Sequence, residues 1–371
     1  MKISSLGLVN FRSHELLQLE FAEGATSIIG RNGLGKTNIV EAVHYSATLG
    51  SHRVAQDGPL IRNECDSSFI NTVAQKHGRQ ASISITINRD KPNVVELNGA
   101  PVRRPRDFVG VIQVVIFSPE DLDLVKNEPA VRRRFLDEFL TLQSPRMAEV
   151  KQDYERALKQ RNSLLKSAGR RALSDTARST LVAWDEQLVK FGAELVLARL
   201  KATEQLLPHI TEFGNVISGT TEPIGVTYHS SWLTEQTQDR ENIAEQLRLA
   251  LENRHKEEVD RGLTLSGPHR DDLSLELAGM PVRNYASHGQ SWSVAIALRM
   301  STFAVLREHD SDPVLILDDV FAELDARRRG RLIETISGVE QTIITVADEA
   351  DVPKEFDSVR YWLADGVAHA N

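Results

Sequence analysis

The sequence is almost without cysteine: Cys65 is the only one among 371 residues. A single thiol cannot form an internal disulfide, and it is too little for a cysteine-based structural zinc site. Disulfide-stapled secreted scaffolds are therefore excluded, and we expect the protein to work in a reducing compartment. The length is enough for about two or three domains with a large buried core.

Long apolar runs are missing as well. The first residues, Met1 to Ser5, have no apolar core of the kind found in signal peptides. No stretch approaches the roughly 18 apolar residues that a membrane-spanning helix needs. From the sequence we therefore expect a cytoplasmic protein that has no membrane partner.

Positive charge is also in short supply. Lysine and arginine number 44 against 52 acidic residues, which gives a net charge of -8 and a pI of about 5.8. A protein of this charge is not coated in cations, so any contact with nucleic acid has to be local. Arginine-rich clusters are the candidates, although each can equally be a solvated face paired with nearby acids: Arg103-Arg104-Pro105-Arg106, Arg132-Arg133-Arg134, and Arg327-Arg328-Arg329 with Arg331.

What the sequence does have is a glycine-rich octet near its N-terminus. The octet fits the phosphate-binding pattern G-x-x-x-x-G-K-[ST], follows the apolar strand Thr26–Ile29 and precedes a helical pattern from Asn38. Glycines let successive backbone N–H groups point into one concavity that cradles phosphate oxygens, and the positive end of the helix adds to this anion site. By composition, such an octet occurs by chance in about one chain in a hundred of this length. The predicted ATP-binding residues are Gly30, Arg31, Asn32, Gly33, Leu34, Gly35, Lys36 and Thr37.

Two of these residues and two distant acids have predicted chemical roles. Lys36 would reach the β and γ phosphates of the nucleotide, and the Thr37 hydroxyl would bind Mg²⁺. Near the other end of the chain, an apolar strand that begins at Pro313 ends in Asp318 and Asp319. In phosphate-loop enzymes the first acid serves the Mg²⁺ and the second polarises the attacking water, which makes Asp319 the predicted catalytic residue. Because a parallel sheet brings the C-termini of its strands to one edge, we expect both acids beside the phosphate loop.

Other candidate residues depend on weaker patterns. Arg12 lies at the bend between two predicted N-terminal strands, where its guanidinium could reach a nucleotide phosphate; a plain surface arginine is the alternative. The signature segment, Ser287-His288-Gly289-Gln290, precedes a helical pattern. A serine hydroxyl and glycine amides at a helix N-terminus can bind a γ-phosphate, so Ser287, Gly289 and Gln290 are predicted nucleotide-binding residues. A simple helix cap explains the same pattern.

Hydrophobic periodicity predicts the domain organisation. Strand patterns dominate the first 128 residues, among them an almost unbroken apolar run, Val109–Phe117, and a hairpin turn at Asn98-Gly99. From Pro129 apolar residues recur at helical spacing up to Pro208, which predicts two long antiparallel helices. No role follows from the sequence for residues 208–260. We predict an ATPase head formed by residues 1–128 and 262–371, with a helical second domain, residues 129–261, inserted between them.

Five segments, which follow one another along almost the whole chain, together resemble the RecF family of bacterial recombinational-repair ATPases, relatives of the SMC and ABC ATPases. The second and third segments separate this family from other ABC-type ATPases. The segments are Gly30–Asn38; Ser118–Leu122 with Arg132–Asp137; Gly267–Leu273; Ser287–Gln290; and Leu317–Asp325.

The resemblance implies an α/β fold, namely an ABC/SMC-type P-loop ATPase head with an inserted helical second domain. It implies ATP and Mg²⁺ as cofactors, and a weak, DNA-stimulated ATP hydrolysis that serves as a switch. It also implies an ATP-dependent homodimer, in which the signature segment of one subunit closes on the ATP of the other. The expected partners are DNA at single-strand gaps and junctions, and RecR and RecO, with which such proteins help to load recombinase.

Two positions depart from the family's pattern. Asn127 replaces a usual glycine, and Ala347-Asp348 stands where ABC proteins commonly have a histidine that contacts the γ-phosphate. Asparagine tolerates left-handed backbone geometry well, so we expect the turn at Asn127 to survive. A histidine contact to the γ-phosphate is not expected in this chain.

Proteins of other classes share part of this pattern. The nucleotide-binding domain of a transporter, or another SMC-like chromosome ATPase, would have the same loop, signature and acids. A transporter subunit would need a membrane partner, and the segment Gly267–Asp272 disfavours it. A processive DNA motor would need a second engine core or helicase motifs, and the signature segment and helical insertion oppose a small phosphate-loop kinase or GTPase.

Overall fold

A computed structural model of the chain describes residues 1–103, 110–168, 175–309, 312–352, 356–364 and 367–370. Contacts between residues divide the chain into two compact units. The first unit comprises Met1–Val125, His209–Pro223 and Ala286–Asn371, and the second comprises Lys126–Pro208 and Ile224–Tyr285. The chain therefore leaves the first unit twice and returns to it twice.

The helices and strands follow one another along the chain in a fixed order. They are β1 (Lys2–Phe11), β2 (His14–Glu20), β3 (Gly24–Ile29), α1 (Lys36–Thr48), β4 (Ser67–Lys76), β5 (Arg79–Asn88), β6 (Val94–Leu97), β7 (Ala100–Pro101), β8 (Val114–Phe117), α2 (Leu122–Lys126), α3 (Pro129–Gln143), α4 (Pro145–Ala168), α5 (Asp175–Ser218), β9 (Ile224–His229), α6 (Arg240–Arg261), β10 (Asp272–Leu277), β11 (Met280–Pro281), α7 (Val282–Tyr285), α8 (His288–Glu308), β12 (Val314–Asp318), α9 (Ala326–Ile336), β13 (Gln341–Val346), β14 (Val359–Ala364) and β15 (Val367–Ala370).

The first unit contains an antiparallel sheet of six strands in the order β2-β1-β4-β5-β6-β7. Its strands alternate buried and exposed side chains, as expected when one face covers a core and the other meets water. The turn between β6 and β7 has Asn98 and Gly99 at φ 51° and 76°. Both positions need the left-handed region that a two-residue hairpin turn requires, which confirms the predicted turn.

A second six-stranded sheet has the order β15-β14-β3-β13-β12-β8, in which only β15 runs antiparallel to its neighbour. Strands β12 and β13 are buried along their whole length, which explains the apolar run 314–317 in β12 and the apolar residues Ile343, Ile344 and Val346 in β13. In the paired register, Asp318 lies opposite Thr345, and Ile29 lies opposite Val346. The last residues of β3, β12 and β13 therefore lie together at one edge of the sheet.

Helix α1 lies between these two sheets and forms the centre of the core. It contacts β1 and β4 of the antiparallel sheet and β8, β12 and β13 of the parallel sheet. Its side chains Ile39, Val40 and Val43 are fully buried because both sides of the helix are covered. This packing fixes the position of the helix that begins directly after the glycine-rich octet.

The second unit is mainly helical and includes α3, α4, α6 and the first part of α5, with a small sheet in the order β11-β10-β9. Arg161 pairs with Asp185, and Arg146 pairs with Glu194. These contacts occur in reverse order along α4 and α5, as expected for two helices that run in opposite directions. Within the described ranges, none of the helices is both long enough and apolar enough to cross a bilayer.

The structure corrects two predicted element boundaries. Strand β8 begins at Val114 because the chain bends at residues 110–112, whereas the predicted run began at Val109, which lies outside the described residues. Helix α5 does not end at Pro208 but continues to Ser218. The φ angle of proline fits a helix, and the buried side chains of Leu206 and Ile210 on either side hold this stretch in place.

The predicted domain boundaries also differ from the contacts. Residues 209–223, predicted to lie in the helical domain, belong to the first unit. Residues 262–285, predicted to lie in the head, belong to the second unit, because β10 pairs along its whole length with β9. The sequence missed this because β9 and β10 are separated by all of α6, and pairing over such a distance leaves no local pattern.

Candidate nucleotide site

The glycine-rich octet forms the turn from β3 into α1. Gly33 and Gly35 have φ values of 90° and 99°, which a residue with a side chain rarely adopts. A Cβ atom on Gly35 would lie 2.6 Å from both Ser13 Oγ and His14 Nε2, so the hairpin between β1 and β2 packs directly on the loop. Gly35 caps α1 with no side-chain hydrogen bond, which leaves the first N–H groups of that helix facing the loop.

Lys36 begins α1 and is almost completely buried, with 3% of its side chain exposed. Its ammonium group donates to Asn32 Oδ1 at 3.2 Å and lies 3.8 Å from Asp319 Oδ1. A buried cation is costly unless it is paired, and here a carboxylate from the far end of the chain supplies the partner. Lys36 and the second of the two predicted acids, Asp319, therefore lie close together.

Asp318 ends β12 and lies beside the phosphate loop. Its Oδ1 atom accepts hydrogen bonds from Thr37 Oγ1 at 3.2 Å and from Thr345 Oγ1 at 2.5 Å. Burial raises the pKa of this carboxyl to about 6, against a usual value near 4, while the hydrogen bond from Thr345 partly opposes the shift. The two residues predicted to share Mg²⁺ are thus in direct contact.

Asp319 follows with a left-handed backbone, φ 51°. Its N–H donates to Thr345 Oγ1 at 3.0 Å, which links both acids to the same threonine. Burial raises the pKa of the Asp319 carboxyl, and the Lys36 ammonium opposes this shift. Oδ1 of Asp319 is buried and accepts no hydrogen bond from the described residues, so it has capacity to accept one more donor.

The donor set at this edge fits Mg²⁺ better than a transition metal. The described residues contain no group of three or more histidine, cysteine or acidic side chains that could hold a metal. What they do provide is the Asp318 carboxylate and the Thr37 hydroxyl, 3.2 Å apart. Mg²⁺ prefers oxygen ligands and commonly takes one or two from the protein and the others from phosphates and water. The site suits Mg²⁺ together with a nucleotide.

Arg12 lies at the tip of the β1–β2 hairpin, but its guanidinium binds a protein carboxylate. It donates from Nε and Nη2 to the two oxygens of the fully buried Glu41 at 2.9 and 2.7 Å. Glu41 also accepts a hydrogen bond from Ser51 Oγ and has Arg53 at 3.5 Å. A contact between Arg12 and a nucleotide phosphate stays a prediction.

The signature segment forms the N-terminal cap of α8. Ser287 Oγ accepts from the N–H of Gln290 at 3.3 Å, and Gln290 Oε1 accepts from the N–H of Ser287 at 2.9 Å. Gln290 Nε2 also donates to Glu222 at 3.2 Å, and a Cβ on Gly289 would lie 2.9 Å from the guanidinium of Arg328. Among the described residues, neither Ser287 nor Gln290 bonds to the phosphate loop of its own chain.

Most cations of the arginine-rich clusters are engaged inside the protein. Arg132 is buried and binds Asp272 through two nitrogens, and Arg329 donates to the carbonyl of Phe321. Arg331 donates to the carbonyl of Ile217. Residues 104–106 lie outside the described residues. Of the predicted clusters, Arg103, Arg134 and Arg327 are the members that the described structure places at the surface.

The structure thus joins Lys36, Thr37, Asp318 and Asp319, whereas the hydrogen bonds of Ser287 and Gln290 go to other described residues. The sequence reasoning missed Thr345, which holds both acids in place, and Glu41, which holds Arg12. Thr345 left no distinct signal, because β13 also contains the polar residues Gln341 and Thr342. The sequence also contains no signal for Glu41, because an acidic residue in a helix is expected to be exposed.

Comparison with known proteins supplies independent evidence. A family model described as the RecF/RecN/SMC N terminal domain matches residues 2–360. The "DNA replication and repair protein RecF" of Frankia alni is 46% identical over 372 residues, covering 99% of this chain and 98% of that protein. Its counterpart from Streptomyces avermitilis is 43% identical over 369 residues, covering 99% of both.

A solved structure, described as the recombination mediator protein RecF with ATP in the RecFOR pathway, superimposes with a TM-score of 0.91. The two chains are 27% identical, and the match covers 100% of this chain and 97% of that one. Together with the family model, this similarity confirms the predicted α/β fold of an ABC/SMC-type P-loop ATPase.

Proposed function

Since this chain belongs to the RecF family, we propose that it is an ATP-dependent DNA-binding protein of replication and recombinational repair. The names of its relatives support the biological role, and the ATP bound in a similar solved structure supports the nucleotide. The observation that carries the proposal is the hydrogen bond from Thr37 to Asp318. It joins the phosphate loop to the acid pair from the far end of the chain.

ATP binds with its phosphates at the start of α1. The backbone N–H groups of the loop and the positive end of the helix hold phosphate oxygens, and Lys36 binds the β and γ phosphates. Thr37 and Asp318 would hold Mg²⁺, which would neutralise charge on these phosphates. Arg12 can keep its ion pair with Glu41 or bind a phosphate of ATP. Its position on the hairpin that packs on Gly35 supports binding to a phosphate.

Asp319 positions the water that attacks the γ-phosphate. Its buried Oδ1 has room for one more hydrogen bond, which a water can donate. The left-handed backbone and the bond from its N–H to Thr345 fix the direction of the side chain. The raised pKa of the carboxyl favours its taking up the proton that the water loses. Hydrolysis is slow and DNA-stimulated, and it serves as a switch.

Two chains close on two ATP molecules as a homodimer. Ser287, Gly289 and Gln290 lie at the N-terminus of the 21-residue helix α8, and among the described residues Ser287 and Gln290 make no hydrogen bond to the phosphate loop of their own chain. A helix N-terminus with a serine and a glycine suits the γ-phosphate of the partner's ATP. ATP thereby acts as the link between the subunits, and its hydrolysis releases them.

The dimer binds DNA at single-strand gaps and junctions, and it works with RecR and RecO to load recombinase. The description of the similar solved structure as a recombination mediator in the RecFOR pathway supports this assignment. The net charge of -8 means that the DNA contact is made by a local group of cations.

Fluorescence anisotropy with a gapped duplex tests the proposal. We expect tight binding with ATP and Mg²⁺, and weak binding with ADP or without nucleotide, because only ATP builds the dimer. The Lys36→Ala protein serves as the control for nucleotide dependence. Equal affinity for gapped DNA with ATP, with ADP and without nucleotide would contradict ATP-dependent DNA binding.

A further inference from the structure

Two segments that distinguish this family from other ABC-type ATPases meet in the second unit. Arg132 donates from Nε and Nη2 to the carboxylate of Asp272 at 2.8 and 2.9 Å. Arg133 donates from Nη1 to the backbone carbonyl of Asp271 at 2.6 Å. The carboxylate of Asp271 accepts from Tyr228 and Trp232. The arginine cluster Arg132–Arg134 and the Gly267–Asp272 segment therefore pack together.

A pocket of about 270 Å³ opens beside this junction, between α3, α4, α5 and the loop that carries His269. This volume is below the usual range for a pocket that holds a whole small molecule, and it suits a single small group. Ala130, in the first turn of α3, lines the pocket together with Arg133 and Arg134. The positive end of that helix dipole therefore adds to the charge of the arginines.

The charged side chains around the pocket leave an excess of positive charge. Arg199 and Asp137 are both buried and neutralise each other through a bond of 2.9 Å. The other charged residues that line the pocket are three cations, Arg133, Arg134 and Lys151, and one acid, Glu155. Lys151 lies 3.6 Å from Asp137 and 3.9 Å from Glu155, which are loose contacts.

Histidine adds no charge to this balance. His269 Nε2 lies 3.2 Å from the carbonyl of Thr264, so this nitrogen carries the proton. His269 Nδ1 must then accept from the hydroxyl of Tyr154, at 2.6 Å. Burial lowers the pKa of the His269 imidazole to about 4, and the ring is neutral at physiological pH.

Arg133 is the residue that most needs a further partner. It is partly buried, and its single hydrogen bond within the described part of the chain is to an uncharged carbonyl. Burial lowers the pKa of its guanidinium, and the neighbouring Arg199 lowers it further, while the carboxylates of Asp272 and Asp271 oppose the shift only in part. A guanidinium in such a place is stabilised by an anion that it can bind with two N–H groups.

We propose that this pocket holds one phosphate group of the DNA backbone. A guanidinium fork matches the oxygens of a phosphate, and the pocket is large enough for one such group but not for a nucleotide. The inference rests on the proposed DNA-binding function, which brings a polymer of phosphates to the protein. It goes beyond that function by assigning the contact to the second unit.

The test measures the affinity for gapped DNA, with ATP, between about 50 and 200 mM salt. Arg134→Gln removes a charge from the pocket at an exposed position that makes no hydrogen bond to another described residue, so it should fold normally. We expect a loss of affinity of about fivefold, and a salt dependence of the logarithmic affinity that is shallower by about one. Arg133→Lys keeps the charge and loses the fork, so it should weaken binding without a change in salt dependence.

Arg156→Gln is the matched control, because it removes an exposed arginine from α4 outside the pocket lining. If the wild-type protein binds gapped DNA, and Arg134→Gln and Arg133→Lys bind it as well as this control does, the phosphate assignment of the pocket is wrong. The proposed function is not affected by that result. Wild-type protein that fails to bind DNA would instead overturn the proposed function. Variants that lose a protein partner at unchanged DNA affinity would also overturn the phosphate assignment.

Discussion

At the scale of single residues, the candidate site depends on one lysine and two adjacent acids. Lys36 is buried and charged, and its nearest partners are the amide of Asn32 and the carboxylate of Asp319. The phosphates of ATP are stronger partners for an ammonium group than an amide and a carboxylate at 3.8 Å. Binding of ATP should therefore depend heavily on this one side chain.

Lys36→Ala should abolish ATP binding and the ATP-dependent dimer. The change removes charge-assisted hydrogen bonds to the β and γ phosphates that are worth roughly 1.5–3 kcal/mol each. Calorimetric titration with ATP and Mg²⁺ measures the loss, and circular dichroism checks that the protein folds. Wild-type affinity for ATP in the variant would contradict the assignment of the phosphate loop.

The variants Asp318→Asn and Asp319→Asn should have different defects. Asp318→Asn removes the carboxylate that faces Thr37, so Mg²⁺-dependent ATP binding should weaken. Asp319→Asn keeps that contact but cannot take up the proton of the attacking water, so ATP should bind normally and be hydrolysed slowly, and the dimer should accumulate. Titrations with ATP at varied Mg²⁺, beside steady-state hydrolysis, separate the two. Identical binding and dimer defects would refute this division of roles.

The position of the two acids beside the phosphate loop could be predicted from the sequence, because these residues belong to a contiguous loop and to the end of an apolar strand. Their roles in binding and hydrolysis stay predictions. Thr345 and Glu41 could not be predicted, since their importance comes from contacts with residues far away in the sequence. The pairing of Arg12 with Glu41 illustrates the limit. A loop arginine near phosphates and a loop arginine bound to a helix look alike in the sequence.

At the scale of elements, the N-terminus of α8 has two possible roles. Its capping box is complete, with Ser287 and Gln290 bonded to each other's backbone. The cap alone explains why these residues are present, and it says nothing about a partner subunit. A substitution that separates the two roles is therefore informative.

Ser287→Arg should leave ATP binding by the monomer near normal and prevent the dimer. The subunit's own phosphate loop is untouched, but the bulky cation blocks the surface that closes on the partner. Ser287→Ala is the control, since it removes only the cap and should cost about 0.5–2 kcal/mol of stability. Sedimentation with ATP measures the dimer fraction. Normal dimerisation of a folded Ser287→Arg protein would remove the role in the partner's site.

The loop that carries His269 should make the protein sensitive to acid. The pKa of His269 is about 4 in the folded protein, because of burial, and 6.5 in the unfolded chain. Between these values the unfolded chain binds the extra proton, so stability is full above pH about 6.5 and falls as the pH drops towards 4.

The expected loss from this one group is about 2–3 kcal/mol. Denaturant titrations at several pH values measure it, and His269→Asn should reduce the slope of stability against pH by about one proton. His44 also has a pKa near 4 through burial, so part of the slope should remain. An unchanged slope in His269→Asn would contradict the assignment to this residue.

Elements with a strong local pattern were predicted correctly, and those that depend on distant contacts were not. The turn at Asn98-Gly99 follows from two residues that tolerate left-handed geometry. The continuation of α5 through Pro208 and the pairing of β9 with β10 depend on packing from elsewhere in the chain. For the same reason the predicted domain boundaries differ from the limits of the two compact units.

At the scale of the whole molecule, the two units carry different parts of the proposed function. The phosphate loop, the acid pair and the signature segment all belong to the first unit. The arginine cluster Arg132–Arg134 and the Gly267–Asp272 segment belong to the second unit. The proposed ATP switch is therefore built from one unit, and the proposed phosphate contact to DNA is built from the other.

The most direct test of the ATP-gated dimer mixes two variants that should each be monomeric. Lys36→Ala lacks a working phosphate loop but keeps its signature segment, and Ser287→Arg has the opposite defect. If each ATP lies between the loop of one subunit and the signature of the other, a mixed dimer has one intact site. Sedimentation of the mixture with a non-hydrolysable ATP analogue should then show dimers that neither variant forms alone. A mixture of folded variants that stays monomeric would contradict the ATP-gated dimer.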